Sequence, residues 1–180
     1  PAPPHPPPPH HPPPTAAPAA RLSTEAPPRS PAPGHDSGAA NCHPTISEIA
    51  RRRGKPYQAG SALARGLALA AGPDTRAERL QLRRTEAHLH LDAGAFEQGL
   101  RVAQEAFAEC KVAGADWLLP DLTVPLARAL VLNGLADQAL EVTRDQRGVA
   151  QEAALLFWRM RAYELTDDHG AAYGALEAAH

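Results

Sequence analysis

The sequence predicts an all-α fold of stacked antiparallel helix hairpins behind a proline-rich leader, and three observations predict it. The stretch "AGAFEQGLRVA" (Ala93 to Ala103) returns as "NGLADQALEVT" (Asn133 to Thr143), 40 residues on (133 − 93 = 40). Repetition at a fixed period marks an architecture in which each unit leans on the next. Of the 20 prolines in 180 residues, 16 fall in the first 44, which leaves 136 (180 − 44 = 136) to build a core. From Thr45 onward, Ala and Leu recur at three- and four-residue steps, the spacing of one helix face.

The leader, residues 1–44, opens "PAPPHPPPPHHPPPTAAPAA". Proline removes backbone donors and fixes φ, so neither helix nor sheet is expected, and the segment reads as a disordered, semi-rigid spacer. It carries almost no large apolar side chain with which to offset the entropy of ordering. Two other readings stand beside the spacer: docking on a partner's aromatic groove, and loose metal binding by His5, His10 and His11.

Residues 45–180 divide into four units, roughly 45–72, 76–114, 116–147 and 149–180. "TISE" (Thr45 to Glu48) is a capping box that starts a short helix ending at Gly54, and "YQAGSALARGLALAAG" supplies its partner, with Leu63, Gly66, Leu67 and Ala70 on one face. "AERLQLRRTEAHLHLDAG" is the next helix, with Leu80, Ala87 and Leu91 on one side; Leu100, Ala103, Ala106, Phe107 and Cys110 form the stripe of the helix after Gly94. In the third unit Pro120 and Pro125 allow a helix from Thr123 or a kinked one from Asp116. A start at Asp116 is favoured, because Trp117 and Leu118 otherwise lack a packing role. "EAALLFWRMRAYELTDD" and "GAAYGALEAAH" form the fourth. Turn positions Gly54, Gly94, Gly134 and Asp167 step by 40, 40 and 33. Small residues follow them at equivalent places: Ala59, Gly99, Ala139 and Ala172.

This unit resembles the tetratricopeptide repeat family, whose repeat is a helix-turn-helix with small residues at fixed places. Tyr163 and Ala172 match in the last unit, with Leu156 where tryptophan is usual. Leu126, Ala127 and Ala139 match in the third, and Ala87, Gly94 and Phe96 in the second. Gly99 and Glu86 depart from the pattern there, and Pro44 cuts the first unit short. The period is longer than the family's usual ~34 residues. Lengthened repeats of this style occur in bacterial signalling and transcription-regulatory proteins. The resemblance implies an α-solenoid that acts in protein–protein interaction or as a sensory scaffold, the regulatory part of a larger bacterial protein. Arginine-rich, lysine-poor usage fits a bacterial source, and a start at Pro1 and a stop in helical pattern read as a fragment. The alternative is a fragment of an enzyme, such as a diguanylate cyclase, whose catalytic domain lies beyond His180.

Several functions are not expected. Net charge is −2 with no basic block, so no nucleic-acid footprint is expected. No apolar run approaches a membrane span, and a cytoplasmic setting follows as the default. Cys42 and Cys110 are far apart and suggest neither a disulfide framework nor zinc. His88 and His90 point to different sides of a helix, and no phosphate loop, nucleophile elbow or zinc-helix motif is present. No catalytic, cofactor-binding or metal residues are therefore assigned. The candidate binding residues are a row on the first helices, His88, Arg128 and Arg161, stepped like the turns. Arg84 lies one turn before His88, and Phe157 and Trp158 lie beside Arg161. Arginine forks and an indole surface suit a protein or peptide partner of acidic character. Within the family's acidic-tail clamp, Arg84 and His88 fit in part, while Pro125, Ala154 and Trp158 do not.

Overall fold

A computed structural model describes residues 35–144 and 150–178. Among these the chain is all-helical: α1 (His35–Arg52), α2 (Pro56–Leu69), α3 (Arg76–Asp92), α4 (Phe96–Val112), α5 (Leu119–Leu132), α6 (Ala136–Thr143), α7 (Glu152–Leu165) and α8 (His169–Ala178). Short 3-10 turns, Pro73–Thr75 and Asp116–Leu118, precede α3 and α5. Of the spacer expected over residues 1–44, residues 1–34 lie outside the described residues, as do His5, His10 and His11, whereas 35–44 belong to α1.

The hairpin turns share one backbone solution. Gly54, Gly94 and Gly134 have φ of +66°, +78° and +74°, and Asp167 stands in the same place at +57°. At each, the amide of the turn residue donates to the carbonyl three residues back, and the next amide donates five back. Gly54 N to Arg51 O is 2.9 Å with Lys55 N to Ala50 O at 2.9 Å, and Gly134 N to Val131 O is 3.0 Å with Leu135 N to Leu130 O at 2.9 Å. This is the Schellman closure, which consumes carbonyls a helix end otherwise leaves orphaned. Glycine pays no Cβ penalty at positive φ; Asp167 does. The second helix then starts at once, its first bonds including Ala59 N to Lys55 O, Gly99 N to Ala95 O, Ala139 N to Leu135 O and Ala172 N to Asp168 O.

Those four small residues are all buried, where the paired helices approach. At Gly99 a Cβ would stand 2.5 Å from Leu91 Cδ2, so glycine is required there by its neighbour rather than by its φ. Each first helix packs on its own second helix, α1 on α2, α3 on α4, α5 on α6 and α7 on α8. Each second helix also packs on the first helix of the next hairpin, and first helices pack on one another, α1 on α3, α3 on α5 and α5 on α7. The core follows this order: Leu63, Ala70 and Leu82 between α2 and α3, Leu80, Ala106, Cys110, Leu118 and Leu122 between α3, α4 and α5, then a cluster from Ala87 to Ala162 through α4, α5 and α6.

Two expectations are corrected. The capping box does not start the first helix: α1 begins at His35 and runs through Pro44, so Thr45 is interior and Glu48 pairs with Arg51 and Arg52 instead of capping. The first unit of 45–72 is thus lengthened at its front. Proline forfeits one helical bond, but Pro44 is buried, and Ser47 Oγ, fully buried, donates to Ala59 O at 2.9 Å. Packing on α2 outweighs the local signal. In the third unit Asp116 does open the helical region, but as a 3-10 turn. α5 proper starts at Leu119 with Pro120 in its first turn and Pro125 buried inside it. Leu118 packs at 1% exposure while Trp117 stays 67% exposed, so only one of that pair has the packing role expected of both.

Candidate binding face on the first helices

Because α1, α3, α5 and α7 lie against one another in order, side chains of successive first helices meet across helix boundaries. Asp92, at the last residue of α3, is the centre of the arrangement. Its Oδ2 accepts from Arg51 Nη1 of α1 at 2.7 Å and its Oδ1 pairs with Arg128 Nη1 of α5 at 2.8 Å. Arg51 turns its other nitrogens to Glu48, with Nη2 2.9 Å from Oε1 and Nε 2.9 Å from Oε2. Arg52 also reaches Glu48, at 2.6 Å. Arg128 Nη1 lies 3.5 Å from His88 Nδ1, and its guanidinium carbon sits 5.9 Å from the Trp158 ring centroid, at the outer reach of a cation–π contact. Phe157 meets Trp158 edge-on at 5.0 Å.

The electrostatics follow from this geometry. Burial alone would raise the Glu48 carboxyl, but hydrogen bonds from Arg51 and Arg52 outweigh it and hold the pKa at about 2. Burial likewise opposes ionisation of Asp92, and the bonds from Arg51 and Arg128 again win, leaving it below the ordinary range. The Arg51 guanidinium is shifted upward, chiefly by its bonds to Glu48. His88 moves the other way: burial first, then the charges of Arg51, Arg128 and Arg84 against Glu48, lower it to about 4. At neutral pH His88 is therefore uncharged, and its Nδ1 accepts from Arg128.

Of the six residues the sequence singles out, four come together: His88, Arg128, Trp158 and Phe157. Arg84, whose charge also reaches His88, makes its ion pair elsewhere, with Asp121 at 3.2 Å, whose Oδ1 also accepts from Gln151 of the segment before α7 at 2.5 Å. Arg161 pairs with Glu164 on its own helix. The expected row of cations is thus a lattice of alternating signs, with His88 neutral within it. Its solvent-facing groups are Arg52, Arg161 and Phe157, with side chains of the two arginines 74% and 51% exposed. A groove of about 290 Å³ lies between α1 and α3, with Ile49, Arg52 and Arg84 among the residues that line it.

The sequence reading missed Glu48, Arg51, Asp92 as a bridge, and Asp121. Glu48 had a signal: it stands one 40-residue step before His88 in the same column. Arg84 with Asp121 and Asp92 with Arg128 join different helices out of register, and nothing local announces them. Among the described residues, no group of three or more His, Cys, Asp or Glu is placed to hold a metal ion, and no helix is long and apolar enough to cross a membrane. Comparison with protein-family models, curated proteins and solved structures finds no match to this chain.

Proposed function

We propose that this chain is a protein-interaction module, a tetratricopeptide-like stack of hairpins that docks an acidic peptide segment along α1, α3, α5 and α7. The observation that supports the reading is the alignment of four first helices by four equivalent turns. That alignment sets a groove, exposed arginines and an aromatic pair on one side of the array. Exposed ion pairs contribute little to stability, about 0–1 kcal/mol each, so Arg52 and Arg161 can exchange their intramolecular carboxylates for a ligand's at small net cost. Phe157, 47% exposed, supplies the apolar anchor that peptide recognition needs beside charge.

In a larger polypeptide such a module would serve as a sensory or scaffolding part. The test is selection of peptides from a random display library on the immobilised chain, followed by titration of the selected peptide. Enrichment in Asp and Glu, and weakening of about tenfold or more by Phe157→Ala with Arg161→Glu, is expected. Both residues are exposed, so the fold should survive. Peptides of basic or uniformly apolar composition, or an affinity indifferent to the double variant, would sink the proposal.

A further inference from the structure

Successive hairpins meet through equivalent positions, so a change of side-chain size at one junction shows as space. Where the second hairpin meets the third, Phe96, the first residue of α4, lies beside Asn133, which follows α5. Asn133 Nδ2 donates to Phe96 O at 3.1 Å and to Ala129 O at 2.7 Å. The cleft there is lined by the exposed Glu97, Gln98 and Arg101, and not by Leu91, Ala129 or Leu132. Forty residues earlier the same two places hold Pro56 and Ala93, both smaller (96 − 56 = 40; 133 − 93 = 40). A cavity of about 350 Å³ at that junction reaches Arg51, Leu89 and Asp92, the counterparts of Leu91, Ala129 and Leu132. Its volume falls within the range of small-ligand sites, about 300–1,000 Å³.

The lining has an apolar and a charged part. Gly54, Pro56, Leu89 and Ala93 form a wall that suits a ring or a branched hydrocarbon. Arg51 and Asp92 carry the charge, and their capacities differ. Both Asp92 oxygens already pair with guanidinium groups, Oδ2 with Arg51 at 2.7 Å and Oδ1 with Arg128 at 2.8 Å. A guanidinium has five N–H groups, and the bonds from Arg51 to Glu48 and Asp92 use three. Among the described residues this leaves one donor at Nη1 and one at Nη2. Arg51, Arg52 and Arg128 meet only two carboxylates in this lattice, Glu48 and Asp92, so one positive charge is in excess (3 − 2 = 1). The spare capacity at the cavity wall therefore suits a carboxylate.

We propose that this cavity binds a small apolar carboxylate, an aromatic or branched aliphatic acid. Its hydrocarbon takes the place that Phe96 has at the next junction, and its carboxylate accepts from Arg51. The site does not rest on the peptide-docking reading, because Arg52, Arg84, Phe157 and Arg161 do not line it.

An NMR titration of the 15N-labelled full chain with 3-phenylpropionate at pH 7 tests the site, read at the Gly54 and Ala93 amides. The neutral 3-phenylpropanamide is the paired probe. A ligand of this size reaches a dissociation constant of about 1 mM. The acid should shift both amides saturably, and the neutral probe should bind at least about fivefold more weakly. Pro56→Phe with Ala93→Asn copies the next junction into this one. The backbone accepts the exchange, since φ and ψ are −83° and 0° at Ala93 and −96° and 7° at Asn133. The double variant should keep its helicity by circular dichroism and bind the acid at least about tenfold more weakly. The comparison of acid and neutral probe uses the wild type alone, so it decides the matter even where the variant does not fold. The proposal is overturned by the absence of a saturable shift up to about 20 mM acid, by equal binding of the neutral probe, or by a folded double variant that binds the acid unchanged.

Discussion

Acidification should loosen the junction of α1, α3 and α5 through His88 before it touches the carboxylates. In the folded chain His88 has its pKa lowered from 6.5 to about 4, first by burial and then by the arginines around it. Above pH 6.5 the imidazole is neutral in both folded and unfolded states and contributes nothing. Between pH 6.5 and 4 the unfolded chain takes up a proton that the folded chain refuses, so stability falls as pH falls. Each unit of separation is worth about 1.4 kcal/mol, so the loss is about 2 kcal/mol by pH 5 and about 3 kcal/mol by pH 4. Glu48, held at about 2, and Asp92, also lowered, add their own losses only as pH drops below the ordinary carboxylate range. Urea unfolding at pH 7 and pH 5, followed by helical circular dichroism, measures the difference directly. His88→Gln keeps an uncharged acceptor beside Arg128 and removes the titration. The wild type should lose about 2 kcal/mol between the two conditions and the variant markedly less. Equal losses in both would refute the argument that His88 is held neutral by its place in the lattice.

Other outcomes follow from single contacts. Gly99→Ala should destabilise by about 1–3 kcal/mol in chemical unfolding, because the new methyl would overlap Leu91 at 2.5 Å. Gly60→Ala, with nothing within 4 Å of its Cβ, should stabilise α2 by about 0.5–1 kcal/mol in the same assay. Asp167→Gly, at φ +57°, should raise stability by about 0.5–1 kcal/mol, read as a higher thermal midpoint. Asp92→Asn should lower it by about 1–3 kcal/mol, since Arg51 and Arg128, with side chains 16% and 20% exposed, lose a shared charged partner.

The repeat was the most legible part of the chain. Gly54, Gly94, Gly134 and Asp167 were readable as turns because positive φ restricts the residue types that can stand there, and small residues at Ala59, Gly99, Ala139 and Ala172 mark close helix approach. Pro44 and the Thr45–Glu48 pattern are local signals for a shorter first helix, whereas α1 is held by packing on α2 and α3. Trp117 and Leu118 show the same limit: a 3-10 turn aims adjacent side chains apart, and periodicity does not say which one turns inward. The row of His88, Arg128 and Arg161 was legible as equivalent positions on the first helices, but its charge pairing was not. Arg128 is separated from Asp92 by 36 residues (128 − 92 = 36), so its neutralisation is a product of the stack, and the neutrality of His88 is a product of burial.

The docking reading carries its own reporter, because the chain has only two tryptophans. Trp158 belongs to the proposed face, in contact with Arg128 and Phe157, whereas Trp117 sits in the connector before α5. The most direct measurement is an NMR titration of the 15N-labelled chain with the library-selected peptide, following the two indole N–H resonances. A saturable shift of the Trp158 signal, lost in Phe157→Ala, is expected, with the Trp117 signal unmoved. A shift confined to Trp117, or saturation of binding with neither indole moving, would contradict docking on the first helices.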